Sequence, residues 1–279
     1  MEKQLWERRR LLWMFVRREI QTRYAGSMMG VFWSVINPLI MLAIYVTVIG
    51  FFLGGGRFGG GEGSGSEWFA IFLCCGLLPW NCISEALTGA ANSVTNNASL
   101  IKRAVFPVSI LPAQALAGAF INFLITLGLF LLILAGFQIF AHTHYLNLFV
   151  LCLPLAMALQ FALLFGLCYL AATLQVYFRD TIQILTAALM IGFWATPIIY
   201  DIEALRKIEH LQGAFLNAFS VWCAVNPAAH LLGIYQDIIS KQQPPSLVSV
   251  IYLLVLSGAF YATGKYLFTR SQEHFPDVV

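Results

Sequence analysis

The sequence predicts an all-α membrane protein. It should have six transmembrane helices, an amphipathic helix ahead of them, a short cytoplasmic helix after the second span, and re-entrant helices between the fifth and sixth. Three observations predict this. Hydrophobic residues make up 59% of the 279-residue chain and charged ones only 10%, against roughly 25% charged in a soluble domain. Six largely apolar runs approach the ~20 residues a helix needs to cross the hydrocarbon. The 16 Lys and Arg lie mostly between these runs rather than on one basic face, and net charge is +3, which argues against nucleic-acid binding.

Residues 1–30 form the first element, a cytoplasmic interface segment. Leu5, Leu12, Trp13, Val16, Ile20 and Tyr24 share one arc of a 3.6-residue helix, with Arg10, Arg17, Arg18 and Gln21 opposite. Arg9 and Arg23 fall inside the apolar arc, and Leu11, Met14 and Phe15 outside it. The pattern fits a helix lying in the interface, and equally a plain positive-inside anchor. Seven Arg or Lys in the first thirty residues, with no small-residue cleavage site, predict that no signal peptide is removed.

Residues 31–279 form the six-helix domain, with expected spans Phe32–Leu53, Trp68–Ala90, Pro112–Phe137, Leu148–Leu174, Ile182–Tyr200 and Ser246–Phe268. Eight glycines among the thirteen residues Gly54–Ser66 make the first connection a flexible linker. No Gly-Lys-Ser/Thr phosphate loop occurs in the chain, so ATP binding by this chain is not expected. After the second span, Val94, Ala98, Ile101 and Val105 recur at helical spacing, with Asn96, Asn97, Lys102 and Arg103 facing elsewhere. The predicted helix, 93–103, stops before Pro107 and either connects two spans or docks into a partner's groove. Residues 201–245 are apolar for an external connection and should fold back on the membrane as two helices, 202–225 and 227–240. The second starts at Asn226, an N-cap followed by Pro227 at the first helical position.

Orientation follows the positive-inside rule. With the N-terminus inside, Lys3, Arg8, Arg9, Arg10, Arg17, Arg18, Arg23, Lys102, Arg103, Arg179, Lys265 and Arg270 are cytoplasmic, leaving Arg57, Arg206, Lys207 and Lys241 outside. Both termini are therefore expected in the cytoplasm.

Polar groups within the spans are few. Asn81, Ser84, Glu85 and Thr88 share a face of the second span beyond Pro79. An ionisable residue there is either functional or snorkels to the nearby interface. Ala113 and Ala117, beside Ala115 and Ala119, give small-xxx-small packing in the third span. The six cysteines lack metal or redox spacing and are expected as free thiols, and His142 with His144 is a weak metal signal. The aromatic residues Trp33, Tyr45, Phe72, Trp80, Phe193, Trp194 and Tyr200 pack or face lipid, or else line a route for sugars, whose C–H faces stack on rings.

The order of residues is more specific than these patterns. Arg23, Tyr24, Gly26, Ser27, Gly30, Trp33, Asn37, Pro38 and Leu39 enter the first span, and Leu78, Pro79 and Trp80 follow in the second. Next come Leu100, Ile101 and Lys102, then Phe106, Pro107, Ile110, Leu111 and Pro112, then Tyr177, Phe178, Arg179 and Asp180. Trp194, Thr196, Pro197, Ile198, Ile199 and Tyr200 precede Asn226 and Pro227. In this order the chain resembles, from about residue 17 to 270, the permease subunits of ABC exporters that carry O-antigen, capsule-type glycans or teichoic acids on polyprenyl pyrophosphate. It departs from that pattern in Ala25, where a basic residue is common, and in its longer glycine-rich loop.

The resemblance implies a homodimer in the bacterial inner membrane, bound to two copies of a separate ABC ATPase that holds ATP and Mg. Residues 93–103 would be the coupling helix, acting through Asn97, Ile101 and Lys102, and the region 201–245 would hold periplasmic gate helices. Arg23, Tyr24 and Arg179 would meet the substrate pyrophosphate, while Glu85, Phe193, Trp194 and Tyr200 would line the channel. The chain itself would bind no metal. One rival is an ABC permease for a drug, haem or simple lipid. Another is a membrane-embedded glycosyltransferase or polymerase, against which Asp201, Glu203, Glu209 and Asp237 form no recognisable acid/base pair.

Overall fold

The computed structural model describes residues 9–23, 32–45, 47, 66–102, 106–140, 146–201 and 213–278. Regular structure among them is helical throughout, as it must be where no water can satisfy backbone groups. Four helices are long and apolar enough to cross a membrane. They are α3 (Ser66–Thr95), α5 (Ile110–Phe140), α6 (Leu153–Tyr177) and α10 (Leu247–Ser271). α3 is the centre of the bundle: every residue from Ile71 to Trp80 is buried, and α5 and α6 pack on it. α6 is entered through a 3₁₀ turn, Leu148–Cys152, whose start is fixed by the Asn147 side chain accepting from the Phe149 N–H at 3.0 Å.

Among the described residues, α6 and α10 make the most extensive helix contact. It depends on two glycines: a Cβ at Gly166 would lie 2.4 Å from the Phe260 carbonyl carbon, and one at Gly264 would lie 2.4 Å from the Gly166 oxygen. The alanines of α5 pack in a looser version of the same scheme. Ala113, Ala115 and Ala119 are buried, and Ala115 faces Gly89 of α3.

Of the expected first span Phe32–Leu53, α2 (Trp33–Tyr45) is described, and residues 48–53 lie outside the described residues, as does most of the Gly54–Ser66 linker. α1 (Arg9–Arg23) confirms the helix ahead of it but with a shifted face. Val16 is buried, Leu12 and Phe15 are half-buried, and the Phe15 ring meets Phe106 edge-on at 5.6 Å. Trp13, placed on the apolar arc by periodicity, is 62% exposed. The groove beside α5 and Phe106, not hydrophobicity alone, selects which side chains of α1 pack.

Two further boundaries differ from expectation. The predicted helix 93–103 is split: α3 runs on to Thr95, the chain turns at Asn96 and Asn97, and α4 (Ala98–Ile101) is one turn. The expected continuous span Ile182–Tyr200 is also broken. α7 (Thr181–Ala195) has 15 residues, about 22 Å at 1.5 Å per residue, short of the ~30 Å hydrocarbon. It ends because Pro197 lacks an N–H and forces the preceding residue out of helical geometry; Thr196 is accordingly extended, at φ −104°, ψ 142°.

Beyond the break, residues 202–212 lie outside the described residues, and α8 (Ala214–Val225) follows. α9 (Pro227–Tyr235) begins where the sequence places it: the Asn226 side chain accepts from the Ala228 N–H at 3.0 Å, with Pro227 in the first turn. It continues as a π turn, Gln236–Ser240. At the other end of the bundle α11 (Phe275–Val278) closes a second core, in which Val94, Ile101, Leu111, Tyr169, Phe268 and Phe275 pack together.

Candidate functional site

A helix end leaves its last carbonyls without partners, and inside a membrane domain those groups need donors from elsewhere. The end of α7 has them. The Tyr200 hydroxyl donates to the Trp194 carbonyl at 2.7 Å, Trp222 Nε1 of α8 donates to the Ala195 carbonyl at 2.9 Å, and Gln236 Nε2 of the π turn donates to the Pro197 carbonyl at 3.0 Å. Asn226 Nδ2 donates to Thr196 Oγ1 at 2.9 Å. Thr196 to Ile199 are buried, and Ile198 lies against Gly76 of α3, where a Cβ would come within 3.2 Å of its backbone. The break is thus a built feature, clamped between the central helix and the α8–α9 segment. Trp222 and Gln236 were not singled out from sequence. Their signal was an indole and an amide in otherwise apolar helices, each with a donor to place.

Immediately before the break, α7 and α3 enclose a groove of about 310 Å³ lined by Trp80, Ser84, Leu189, Met190, Phe193 and Trp194. The Phe193 ring lies 6.2 Å from Trp80 and 5.3 Å from Trp194, the latter edge-on at 87°. Gly192 makes room for the Trp80 indole, because a Cβ there would lie 3.0 Å from its Cη2. Trp80 is buried, Phe193 half-buried and Trp194 63% exposed, so the three grade from anchor to accessible face. Stacking surface beside the Ser84 hydroxyl suits a ligand with one apolar face and polar edges.

The predicted channel set does not stay together. Phe193 and Trp194 share this groove, whereas Tyr200 turns the other way, 5.8 Å from Phe219, with its hydroxyl committed to the Trp194 carbonyl. Glu85, next to Ser84, faces α5 and accepts from Asn122 Nδ2 at 2.8 Å. The intramembrane carboxylate therefore has a hydrogen-bonding partner in the bundle, which sequence did not identify. Deeper still, the Tyr235 hydroxyl donates to Gln160 Oε1 at 2.7 Å and ties the end of α9 to α6.

At the opposite end, Ile101 is 4% exposed and its side chain joins the chain's own second core. Asn96, Ser99 and Lys102 are exposed, and Asn97 is half-buried with Nδ2 donating to the Ser93 carbonyl at 2.8 Å. The outward face of this turn is thus polar. Arg179 is exposed in the turn between α6 and α7; Gln175 clamps that turn, its Nε2 donating to the Arg179 carbonyl at 3.1 Å and its Oε1 accepting from the Ile182 N–H at 2.7 Å. Arg23 is the last residue of α1; its side chain, and all of Tyr24, lie outside the described residues, as do His142 and His144. Among the described residues no group of three or more His, Cys, Asp or Glu could hold a metal ion.

Comparison with known proteins places this architecture. Over 277 residues the chain is 25% identical to the O-antigen export system permease protein RfbA of Myxococcus xanthus, covering 99% of this chain and 98% of that protein. Two RfbA permeases of Klebsiella pneumoniae are 27% and 26% identical over 266 residues, each covering 93% of this chain and 94% of the relative. The ABC-2 type transporter family matches residues 10–222. That match runs from α1 into α8 and takes in the groove and the broken helix, and on it the chain belongs to the ABC-2 type transporter family, as a transport subunit and not an enzyme.

Proposed function

We propose that this chain is the membrane permease of an ABC exporter that passes a polyprenyl-pyrophosphate-linked polysaccharide, of the O-antigen kind, from cytoplasm to periplasm. The observation that carries the proposal is similarity along 93–99% of the chain to permeases named for O-antigen export. In this reading two copies of the chain form the path in the bacterial inner membrane, with both termini cytoplasmic. Two copies of a separate ATPase, which bind ATP and Mg, supply the energy. The polar outward face at Ser99 and Lys102 meets that ATPase, while Ile101 holds the turn to the bundle. Arg23, Tyr24 and Arg179 serve the pyrophosphate on the cytoplasmic side, since guanidinium groups give forked bonds to phosphate oxygens. The α8–α9 segment acts as the periplasmic gate, and the Trp80, Phe193 and Trp194 groove lets sugar units stack and slide.

The test is deletion of the gene in its native cell, followed by measurement of surface glycan and of lipid-linked glycan inside. Loss of surface glycan with accumulation on the carrier in the inner leaflet is the expected result. Unchanged surface glycan, with none trapped inside, would refute the proposal.

A further inference from the structure

Near its last turns α3 presents an uncharged polar face to α5. Thr88, Asn92 and Asn96 follow at steps of four, so they lie one above another. Ser93 and Asn97 flank them, and Gln114 of α5 stands across a cavity of about 350 Å³ that these residues enclose with Gly89 and Ala115. Six of the eight lining residues carry an amide or hydroxyl and none carries a charge. Thr88 and Ser93 donate their hydroxyl protons to the Ser84 and Ala90 carbonyls, each at 2.7 Å, which leaves their oxygens able to accept. Among the described residues the side-chain amides of Asn92, half-buried, and Asn96, exposed, make no hydrogen bond.

A half-buried amide with no partner in the protein is left to bond whatever enters the cavity, and each such amide both donates and accepts. A phosphate would want cationic donors, and none lines the cavity. An apolar chain would leave the amides unpaired. The ligand that matches is uncharged and dense in hydroxyls, with donors and acceptors on the same atoms, which describes a neutral sugar ring.

We propose that this cavity binds one uncharged sugar unit of the glycan on the cytoplasmic side, and that its occupancy is sensed by the ATPase. The wall formed by Asn96 and Asn97 is also the turn that starts α4 and carries the ATPase-facing residues Ser99 and Lys102. A sugar held there contacts the coupling element directly. The proposal rests on the glycan reading above and assigns its entry site.

The experiment uses the permease with its ATPase reconstituted in nanodiscs, and two probes. One is the lipid-linked glycan extracted from cells that lack the permease; the other is the same glycan released from its carrier by mild acid. ATP hydrolysis is measured against probe concentration for the parent complex, Asn92→Leu and Asn96→Ala. Stimulation of the parent by both probes is expected, with the half-maximal concentration raised about tenfold or more in each variant while ATPase co-purification is unchanged. Asn96 is exposed, so its variant carries the test should Asn92→Leu not assemble. Parent-like half-maximal concentrations in the variants would overturn the proposal and leave the glycan reading standing. Stimulation of the parent by the lipid-linked probe alone would also overturn it, assigning recognition to the pyrophosphate. Loss of ATPase co-purification in Asn96→Ala would overturn it as well and make the cavity a socket for the ATPase. No response of the parent to either probe would instead remove the glycan reading itself.

Discussion

Replacing Gly166 with Ala should drive α10 away from α6, the helix that holds it to the bundle. The new Cβ would lie 2.4 Å from the Phe260 carbonyl carbon, 2.5 Å from the Tyr261 nitrogen and 2.6 Å from the Phe260 oxygen. All three are backbone atoms, so no rotamer change relieves the clash. Carbon contacts settle at about 3.5–4.0 Å, so α10 must retreat by about 1 Å, and a gap of that size forfeits up to about half of each 0.1–0.2 kcal/mol contact at the crossing. Over roughly thirty atom pairs this amounts to about 1.5–3 kcal/mol, in line with overpacked cores. At Gly264 a Cβ would meet the Gly166 oxygen at 2.4 Å, at the same crossing. One retreat relieves both clashes, and the Gly166→Ala, Gly264→Ala pair should cost about 1 kcal/mol or more less than the sum of the two singles. Gly258 is the control, having nothing within 4 Å of its Cβ position, and Ala there should be neutral or stabilising by up to about 1 kcal/mol through helix propensity. Unfolding in mixed micelles titrated with SDS, followed by circular dichroism, measures each term. A Gly166→Ala protein within about 0.5 kcal/mol of the parent, well below the usual cost of overpacking, or strict additivity in the double variant, would refute the reasoning.

Four other outcomes are expected. Gln236→Leu should destabilise by about 1–3 kcal/mol, because the Pro197 carbonyl loses its buried donor; a melting temperature equal to the parent's would count against the clamp. Ile101→Asp should abolish folded protein by burying a carboxylate in the second core, whereas Ser99→Trp and Lys102→Glu should leave monodisperse protein that no longer co-purifies with the ATPase. Trp194→Ala should lower surface glycan relative to trapped lipid-linked glycan at matched protein levels, and Trp194→Phe should retain most of it; normal export by folded Trp194→Ala would assign that indole to lipid or packing. Cysteines introduced near residues 60 and 143 should react with an impermeant thiol reagent from the periplasm, and ones near 97 and 178 should not. Five of the six native thiols are buried and so give little background, and the reverse pattern would invert the topology.

What was legible in the sequence is what local chemistry decides. Long apolar runs located α3, α5, α6 and α10, and the Asn226-Pro227 pair located the start of α9 to the residue, because a cap and a first-turn proline act within three positions. Pro197 marked where α7 loosens, but not that it stops at Ala195 and stays open, since that depends on donors from residues 200, 222 and 236. The inward turn of Ile101 was hidden for a similar reason: helical spacing shows that a face is apolar, not whether the chain's own Phe268 and Phe275 already cover it. Trp13 shows the same limit, its exposure being decided by the shape of the neighbouring groove. In the candidate site, Phe193 and Trp194 were found because aromatic residues at adjacent positions can be read directly. Trp80, their anchor, lies 113 positions before Phe193, and Asn122, the partner of Glu85, lies 37 positions after it, so both emerge only when α3, α5 and α7 are packed.

The open end of α7 also bears on how the protein is made. Its Ala195 and Pro197 carbonyls are closed by Trp222 and Gln236, which leave the ribosome 27 and 39 positions later. At roughly 5–20 residues per second, the broken segment spends seconds in the membrane with those carbonyls unsatisfied. During that interval the break lacks the donors of α8 and the π turn, and a chain truncated before residue 222 would carry the helices as far as α7 but lack α9 and α10 and never seal the break.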